Sequence, residues 1–431
     1  MFVDREDEIK ALKKELEKDE FSLITITGRR RVGKTTLVKM TVNKGIYFYV
    51  YYGDEKIVKN ELIKKLHASG VNIHPLASWE EIFREVMERN EILILDEFQR
   101  FLRVQPSVPS ILQGVIDDIK YKSKAKIVLL GSSIGMMEKM FSYAGALYGR
   151  RTLNINLKPL KFRYAQRFFN TDFKNRIRLY SMSGGTPGYL EKFSKYSKPE
   201  DALKDIISKK IDVWDDPPNM IISELGKSTV YFSILKAIAD GKTRFSEISN
   251  YVSIKPNALE YYLQNLIKNL ALIRKVYPWG TKGSRKNVRY EISDPFFAFW
   301  FRFVYPFLSY IEEGNMLVPL EYFKQNFESY VGKVFEDIVR EELSRNYAVY
   351  RWWLKGEEID AVVKFDKEVI LCEIKWSDKN LSAQLTKLKK KAEKYFENAR
   401  LIIIVPEGYK EDGIIGFKEI LNGEKIDFYA I

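Results

Sequence analysis

Apolar positions along this 431-residue chain fall into alternating blocks over the first third of its length. Residues 5–18 space Ile9, Leu12 and Leu16 among charges, which predicts an amphipathic helix. Residues 23–27 form a β-branched run, and residues 46–52 a continuous apolar run between Gly45 and Gly53. Similar runs occupy 92–95 and 126–130, and 152–157 reads as a fifth strand. Apolar runs of this length suit strands buried on both faces of a parallel sheet. Helical patterns at 55–69, 78–89 and 108–120 lie between them. Strands alternating with helices predict an α/β fold with both faces of the sheet covered.

The pattern then changes. Residues 228–241 are helical, with Ile234, Leu235 and Ile238 apolar and Gly241 at the end. A short helix is expected at 246–252, and a longer one at 258–270 carrying Leu259, Tyr262, Leu263, Leu266 and Ile267. Strand-like segments follow at 272–277 and 288–292. Three helices and a hairpin predict a winged helix-turn-helix, with Lys282, Arg285, Lys286 and Arg289 on a wing that can meet phosphates. Such modules also serve as spacers between proteins, and both roles stay open. Residues 295–308 are aromatic, interrupted by Arg302 and Pro306, and read as a core segment. Residues 328–343 form an amphipathic helix. Strands are expected at 347–353, 357–363, 368–376 and 401–405, with a helix carrying Gln384, Lys387, Lys389, Lys390 and Lys391 before the last.

Composition narrows the picture. Lys and Arg total 71 against 58 Asp and Glu, a net charge of +13. That excess favours an anionic partner, nucleic acid above all, and the helix-turn-helix reading makes it DNA more than RNA. Lys-rich surfaces of heat-adapted proteins are the other source of such a balance. Cys372 is the single cysteine, so no intramolecular disulfide forms and a reducing compartment is expected. With only His67 and His74 besides, a structural zinc site is excluded, and metal sites must use oxygen donors, which suits Mg²⁺ or Mn²⁺. The N-terminus does not read as a signal peptide, and no run reaches the roughly 18 apolar residues of a membrane span. A cytoplasmic protein without membrane contact is expected.

The run at 23–27 leads into Gly28-Arg29-Arg30-Arg31-Val32-Gly33-Lys34-Thr35-Thr36. Gly-x-x-x-x-Gly-Lys-Thr between a strand and a helix is a P-loop. Its backbone N–H groups can cradle phosphates, Lys34 can reach the β- and γ-phosphates, and the Thr35 hydroxyl can ligate Mg²⁺. At least two of the three loop arginines are expected to face solvent. Some 60 residues on, the apolar run 92–95 ends in Asp96-Glu97. Asp96 can hold Mg²⁺ through water, and Glu97 can act as base for the attacking water. Ser132 or Ser133, ending the next strand, can sense the γ-phosphate or cap the following helix. Arg150, with Arg151, can reach phosphates in cis or from a neighbouring subunit, or be an ordinary surface pair.

Phe2-Val3-Asp4-Arg5-Glu6, the P-loop, Leu95-Asp96-Glu97, Gly131-Ser132-Ser133, Tyr148-Gly149-Arg150 and Gly184-Gly185-Thr186-Pro187-Gly188-Tyr189 occur in one order. Over residues 1 to about 225 the chain resembles the AAA+-related ATPases found mostly in archaea, close to the STAND signalling ATPases. The resemblance implies an ATP site closed by a small helical lid, with Arg5 near the adenine and the Pro187 turn where lid meets nucleotide. Assembly into an oligomer on nucleotide binding stays open. Domains are expected at 1–160 (P-loop core), 161–226 (lid), 227–318 (winged helix and aromatic connector) and 319–431.

The last of these carries a second constellation. In Glu373-x-Lys375 the strand period puts both side chains on one face, and Asp360 can lie opposite across a hairpin. Two such carboxylates can hold Mg²⁺, with Lys375 orienting or deprotonating a water. A plain salt bridge is the alternative. Helix glutamate, strand aspartate, then Glu-x-Lys resembles the PD-(D/E)xK nucleases, with Ile359 in place of the family's proline. The resemblance implies Asp360 and Glu373 as metal ligands, Glu336 as a helper and Lys375 as catalytic lysine. The expected whole is a nucleotide-switched ATPase coupled to a metal-dependent nuclease-like domain. The competing expectation is a signalling or DNA-binding ATPase whose nuclease-like fold is inactive.

Overall fold

The structure, a computed structural model, describes residues 3–209, 211, 213–280, 287–365, 368–396, 398–408 and 413–423. Lys282, Arg285 and Lys286 of the expected wing lie outside the described residues. The chain divides into two compact units, Met1–Pro159 with Lys268–Leu270, and Leu160–Ile267 with Ala271–Ile431.

The first unit is built on five parallel strands: β1 (Ser22–Thr27), β2 (Ile46–Tyr49), β3 (Ile92–Asp96), β4 (Lys126–Gly131) and β5 (Leu153–Asn156). Their order is β2-β3-β4-β1-β5. Every residue of β1 and β4 is buried. The two-residue period divides their side chains between two cores. Leu23, Ile127 and Leu129 pack with the helices Glu55–Ala68, Trp79–Glu88 and Val108–Ile119. Ile24, Ile26, Val128 and Leu130 pack with Leu12, Leu37 and Val38 of the helices Glu6–Leu16 and Lys34–Thr41. Because β4 sits between β1 and β3, the carboxyl ends of three central strands open side by side. Ligands of open α/β sheets gather at such strand ends. β2 ends at Tyr49, earlier than the apolar run, because the chain turns at 52–53 into the Asp54 cap of the next helix.

The second unit begins with short helices, Phe173–Ser183 and Pro187–Phe193 among them. The helices Thr229–Ala239, Phe245–Val252 and Pro256–Lys268 follow, then an antiparallel ribbon of β6 (Ile273–Val276) and β7 (Arg289–Ile292). The aromatic segment is a helix, Pro295–Phe303, started by the buried Asp294 carboxylate, which accepts the Phe296 N–H at 2.8 Å. Its Phe299 and Phe303 rings meet Phe323, Phe327 and Tyr330. Those partners lie on a 27-residue helix, Leu317–Leu343, which begins well before the expected 328. Apolar Phe323 and Phe327 extend the buried stripe upstream, so the helix continues there.

A second sheet closes the chain: β8 (Ala348–Leu354), β9 (Glu357–Phe365), β10 (Glu368–Ile374), β11 (Ala399–Val405) and β12 (Ile414–Gly416). The order is β12-β11-β10-β9-β8. β8, β9 and β10 are antiparallel neighbours, whereas β10, β11 and β12 are parallel, the helix Leu381–Tyr395 forming the crossover from β10 to β11. No described helix is long and apolar enough to cross a membrane.

Candidate active sites

The P-loop lies between β1 and the helix Lys34–Thr41. Gly28 has φ +148°, and a Cβ there would stand 2.5 Å from the Leu157 carbonyl oxygen. Gly33 is left-handed at φ 102° as the N-cap of the helix. Both positions demand glycine, which leaves the loop backbone uncovered for phosphates. Val32 is buried and fixes the loop to the core, Arg29 is half-buried, and Arg30, Arg31 and Thr36 are exposed. The Lys34 ammonium lies along the loop, donating to the carbonyls of Gly28 at 2.7 Å and Arg29 at 3.1 Å.

Thr35 meets Asp96 although 61 residues separate them: Thr35 Oγ1 donates to Asp96 Oδ2 at 2.9 Å. The same oxygen accepts from the Tyr47 hydroxyl at 2.5 Å. Burial, and then the Asp96 carboxylate beside it, push the Tyr47 phenol above its ordinary range, so it stays a donor. Glu97 takes the left-handed conformation, φ 60°, at the sheet end. Its Oε2 accepts from Ser132 Oγ at 2.6 Å and from Gln99 Nε2 at 2.5 Å. Of the two serines, Ser132 therefore faces Glu97. Ser133 is the N-cap residue of the helix Ile134–Phe141, and its hydroxyl makes no cap bond.

Arg5 is buried and donates to the Lys158 carbonyl at 2.6 Å and to Glu8 at 3.2 Å, pinned beside the segment that follows β5. Arg150 forms a two-pronged pair with Asp117 at 3.1 and 2.7 Å. Pro187 opens the helix Pro187–Phe193 in the second unit, preceded by a turn in which Leu160 N–H donates to the Gly185 carbonyl at 2.7 Å.

The second cluster lies on β9 and β10. Their register pairs Cys372 with Ala361, so one further step sets Glu373 opposite Asp360. Asp360 Oδ2 accepts the Ile374 N–H at 2.8 Å and the Lys375 ammonium at 3.1 Å. Lys375 also reaches Glu373 Oε2 at 2.6 Å, and Lys391 reaches Glu373 Oε1 at 2.8 Å. Arg340 donates to the Asp360 carbonyl at 2.9 Å and to Glu336 at 3.2 Å. Burial and the Asp360 charge raise Glu336 to about 7 and lift Glu373 as well. Burial alone would lower Lys375, but Asp360 and Glu373 hold its ammonium above the usual range. Among the described residues no three His, Cys, Asp or Glu side chains form a ready metal cage.

These carboxylates open into a cavity of about 700 Å³, which the ribbon also lines through Arg274, Arg289 and Glu291. Arg274 bridges Asp337 at 2.6 Å and Glu291 at 2.9 Å, and Arg289 meets Glu358 at 2.8 Å. Arg351 pairs with Glu358 at 3.1 Å and also with Glu291. Opposing charges thus line the cavity in pairs.

Four contact residues escaped the sequence: Tyr47, Gln99, Arg340 and Lys391. Tyr47 sits inside an apolar run that looks uniformly buried. Gln99, two residues beyond Glu97, was legible only as a polar residue in a buried-looking segment. Lys391 is one of several lysines on its helix, and spacing alone cannot tell which turns inward.

Residues 2–193 match the model of an "ATPase domain predominantly from Archaea". Residues 300–394 match a family described as "Archaea bacterial proteins of unknown function". The uncharacterized protein MJECL04 of Methanocaldococcus jannaschii is 36% identical over 402 residues, 88% of each chain. Among solved structures, the Walker-type ATPase PABY2304 of Pyrococcus abyssi aligns with a TM-score of 0.53 at 23% identity, over 70% of this chain and 96% of that one. The ORC2 protein of Aeropyrum pernix, solved as ADPNP-ADP complexes, aligns with a TM-score of 0.48 at 17% identity, over 73% and 95%. The likeness to the first of these solved structures is one of fold, that of a Walker-type P-loop ATPase, here followed by a mixed-sheet C-terminal region. The chain belongs to the family of the Methanocaldococcus jannaschii protein, and its residues 2–193 carry the archaeal ATPase domain.

Proposed function

We propose that the chain binds ATP with Mg²⁺ at the P-loop and hydrolyses it as a molecular switch. The observation that carries this is the 2.9 Å contact between Thr35 and Asp96, which joins the two halves of the motif. The oxygen donors Thr35 and Asp96 fit Mg²⁺, and Gly28 and Gly33 fit a phosphate cradle. When bound, the metal would offset phosphate charge. Lys34 would neutralise the β- and γ-phosphates, the N–H groups of residues 28–34 would hold them in place, and Glu97 would take a proton from the attacking water. Ser132 steadies Glu97 and can report on the terminal phosphate through it. Arg150, tied to Asp117 within the chain, would act on a neighbouring copy in an assembly formed on nucleotide binding. Arg5 and Pro187 would border the nucleotide, with 161–226 as lid. Titration with a fluorescent ATP analogue tests the site: Lys34→Ala should weaken binding by about a hundredfold, the scale of losing a buried charge partner. Unchanged affinity would sink it.

The convergence of Asp360, Glu373 and Lys375 favours a second activity, Mg²⁺- or Mn²⁺-dependent cleavage of nucleic acid. Asp360 and Glu373 offer the oxygen donors such an ion takes, with Glu336 beside them, and the ion would supply an activated water. Lys375 would hold or move the proton of that water. Residues 227–318 would contact DNA as a winged helix or relay the nucleotide state to residues 319–431. In the opposing reading the site is a neutralised ion cluster, and the chain signals or binds DNA without cutting it. DNA and RNA cleavage assays with either metal separate the two: activity should vanish in Glu373→Ala and in Lys375→Ala, and activity that survives both comes from elsewhere.

A further inference from the structure

Gln99 belongs to neither nucleotide motif, yet it is 4% exposed and touches the group read as the base. It lies on the short 3-10 turn Phe98–Arg100, for which left-handed Glu97 is the N-cap. Its amide nitrogen is 2.5 Å from Glu97 Oε2 and 3.2 Å from Ser132 Oγ. The Ser132 hydroxyl reaches that same carboxylate oxygen at 2.6 Å. The amide orientation is fixed by chemistry, because its reverse would set a carbonyl oxygen against a carboxylate.

The surroundings are shaped around this side chain. A Cβ on Gly131, at the end of β4, would stand 3.1 Å from Gln99 Oε1 and 2.3 Å from Met137 Cγ. Glycine there leaves the room that both occupy. Phe98, Phe101 and Met137 are fully buried around the turn. A buried amide in such a place loses stability unless hydrogen-bonded, and its N–H group is used on Glu97. Gln99 Oε1 makes no hydrogen bond. The amide's hydrogen bonds thus go to Glu97 and Ser132, within one triangle centred on Glu97 Oε2.

We propose that Gln99 is a positioning residue for ATP hydrolysis: with Ser132 it clamps Glu97 Oε2 and so leaves Oε1 to receive the proton of the attacking water. This rests on the hydrolytic reading of Glu97. A left-handed glutamate has a side chain that would otherwise sample several rotamers, and each wrong rotamer removes the base from the water. Two donors from two elements, the 3-10 turn and the end of β4, restrict it to one.

The test is steady-state hydrolysis and nucleotide affinity of the full chain as wild type, Gln99→Met, Glu97→Gln and the double variant. Methionine keeps the length and burial of the side chain and removes the donor. Gln99→Met should lower kcat by about tenfold or more, within the range of positioned acid–base catalysis, while KM and nucleotide affinity stay within about twofold. In the Glu97→Gln background the same change should have no further effect, since the group it positions is gone. Ser132→Ala should repeat the pattern, which keeps the test alive if Gln99→Met fails to fold. An equal loss of kcat in the Glu97→Gln background, or an unchanged kcat in Gln99→Met, overturns the proposal. Wild-type turnover that ignores Glu97→Gln, or no turnover at all, instead overturns the hydrolytic reading and the role of Gln99 with it.

Discussion

Both candidate sites hold two carboxylates, Asp96 and Glu97 where β3 ends and Asp360 and Glu373 across the β9–β10 pair, but their partners differ in kind. Asp96 and Glu97 are held by neutral donors: the hydroxyls of Thr35, Tyr47 and Ser132 and the amide of Gln99. Asp360 and Glu373 meet ammonium groups, Lys375 between them and Lys391 on the far oxygen of Glu373, beside the neutral Ile374 N–H on Asp360. Neutral donors orient a carboxylate without supplying an opposite charge of their own. Ammonium partners cancel the charge as they orient it. Under the proposed function, the neutral donors leave the first site open to a divalent ion and a water from outside. The second is balanced internally, and a metal ion there would compete with lysines.

The largest effect expected at the first site comes from the backbone. Gly28→Ala puts a methyl 2.5 Å from the Leu157 carbonyl at a φ unsuited to alanine. It should weaken nucleotide binding by about a hundredfold, and lower stability by about 1–3 kcal/mol as strained backbones do, read by calorimetry and thermal unfolding. At the second site, Lys375→Met leaves two mostly buried carboxylates facing each other. Breaking a buried pair costs about 3–5 kcal/mol, discounted here to about 2 because Lys375 keeps 27% of its side-chain exposure. Mg²⁺ or Mn²⁺ should restore part of that loss and should do little for the wild-type unfolding temperature without nucleotide. Equal metal effects in both chains would break the contrast.

A smaller, pH-dependent effect belongs to Glu336. The folded chain holds its proton up to about 7, against 4.5 for the free side chain, because burial and Asp360 disfavour the anion. Its contribution to stability is therefore full below 4.5 and is lost as pH rises towards 7. In metal-free buffer Glu336→Gln should flatten this part of the stability profile, and a wild-type profile already flat there contradicts the assignment. The smallest change concerns Arg150→Ala, which removes a surface pair worth about 1 kcal/mol or less. Stability and nucleotide affinity should barely move. Turnover should fall only at protein concentrations where copies associate, and a turnover unchanged in the assembly removes the residue from the reaction.

What could be read from the sequence follows the same division. The P-loop and Asp96-Glu97 are local patterns, and strand–turn–helix context fixes them without knowledge of the sheet. The contact between Thr35 and Asp96 depends on strand order, which spacing does not encode, and Tyr47 was hidden because a tyrosine in an apolar run looks like any other buried ring. At the second site the Glu373-x-Lys375 face and the hairpin to Asp360 were legible from the strand period. Lys391 was not, since which lysine of its helix turns inward depends on the pitch against β10. The short strand Ile414–Gly416 carries too few residues to show a period at all.

The contrast between the two sites turns on one side chain acting as a base rather than as a structural acid. Single-turnover hydrolysis of Mg·ATP by wild type and Glu97→Gln, with nucleotide affinity measured on the same samples, tests it directly. Affinity should be equal within about twofold, and the rate in Glu97→Gln lower by about a hundredfold or more, the range of general-base catalysis. Equal rates in the two proteins would contradict it.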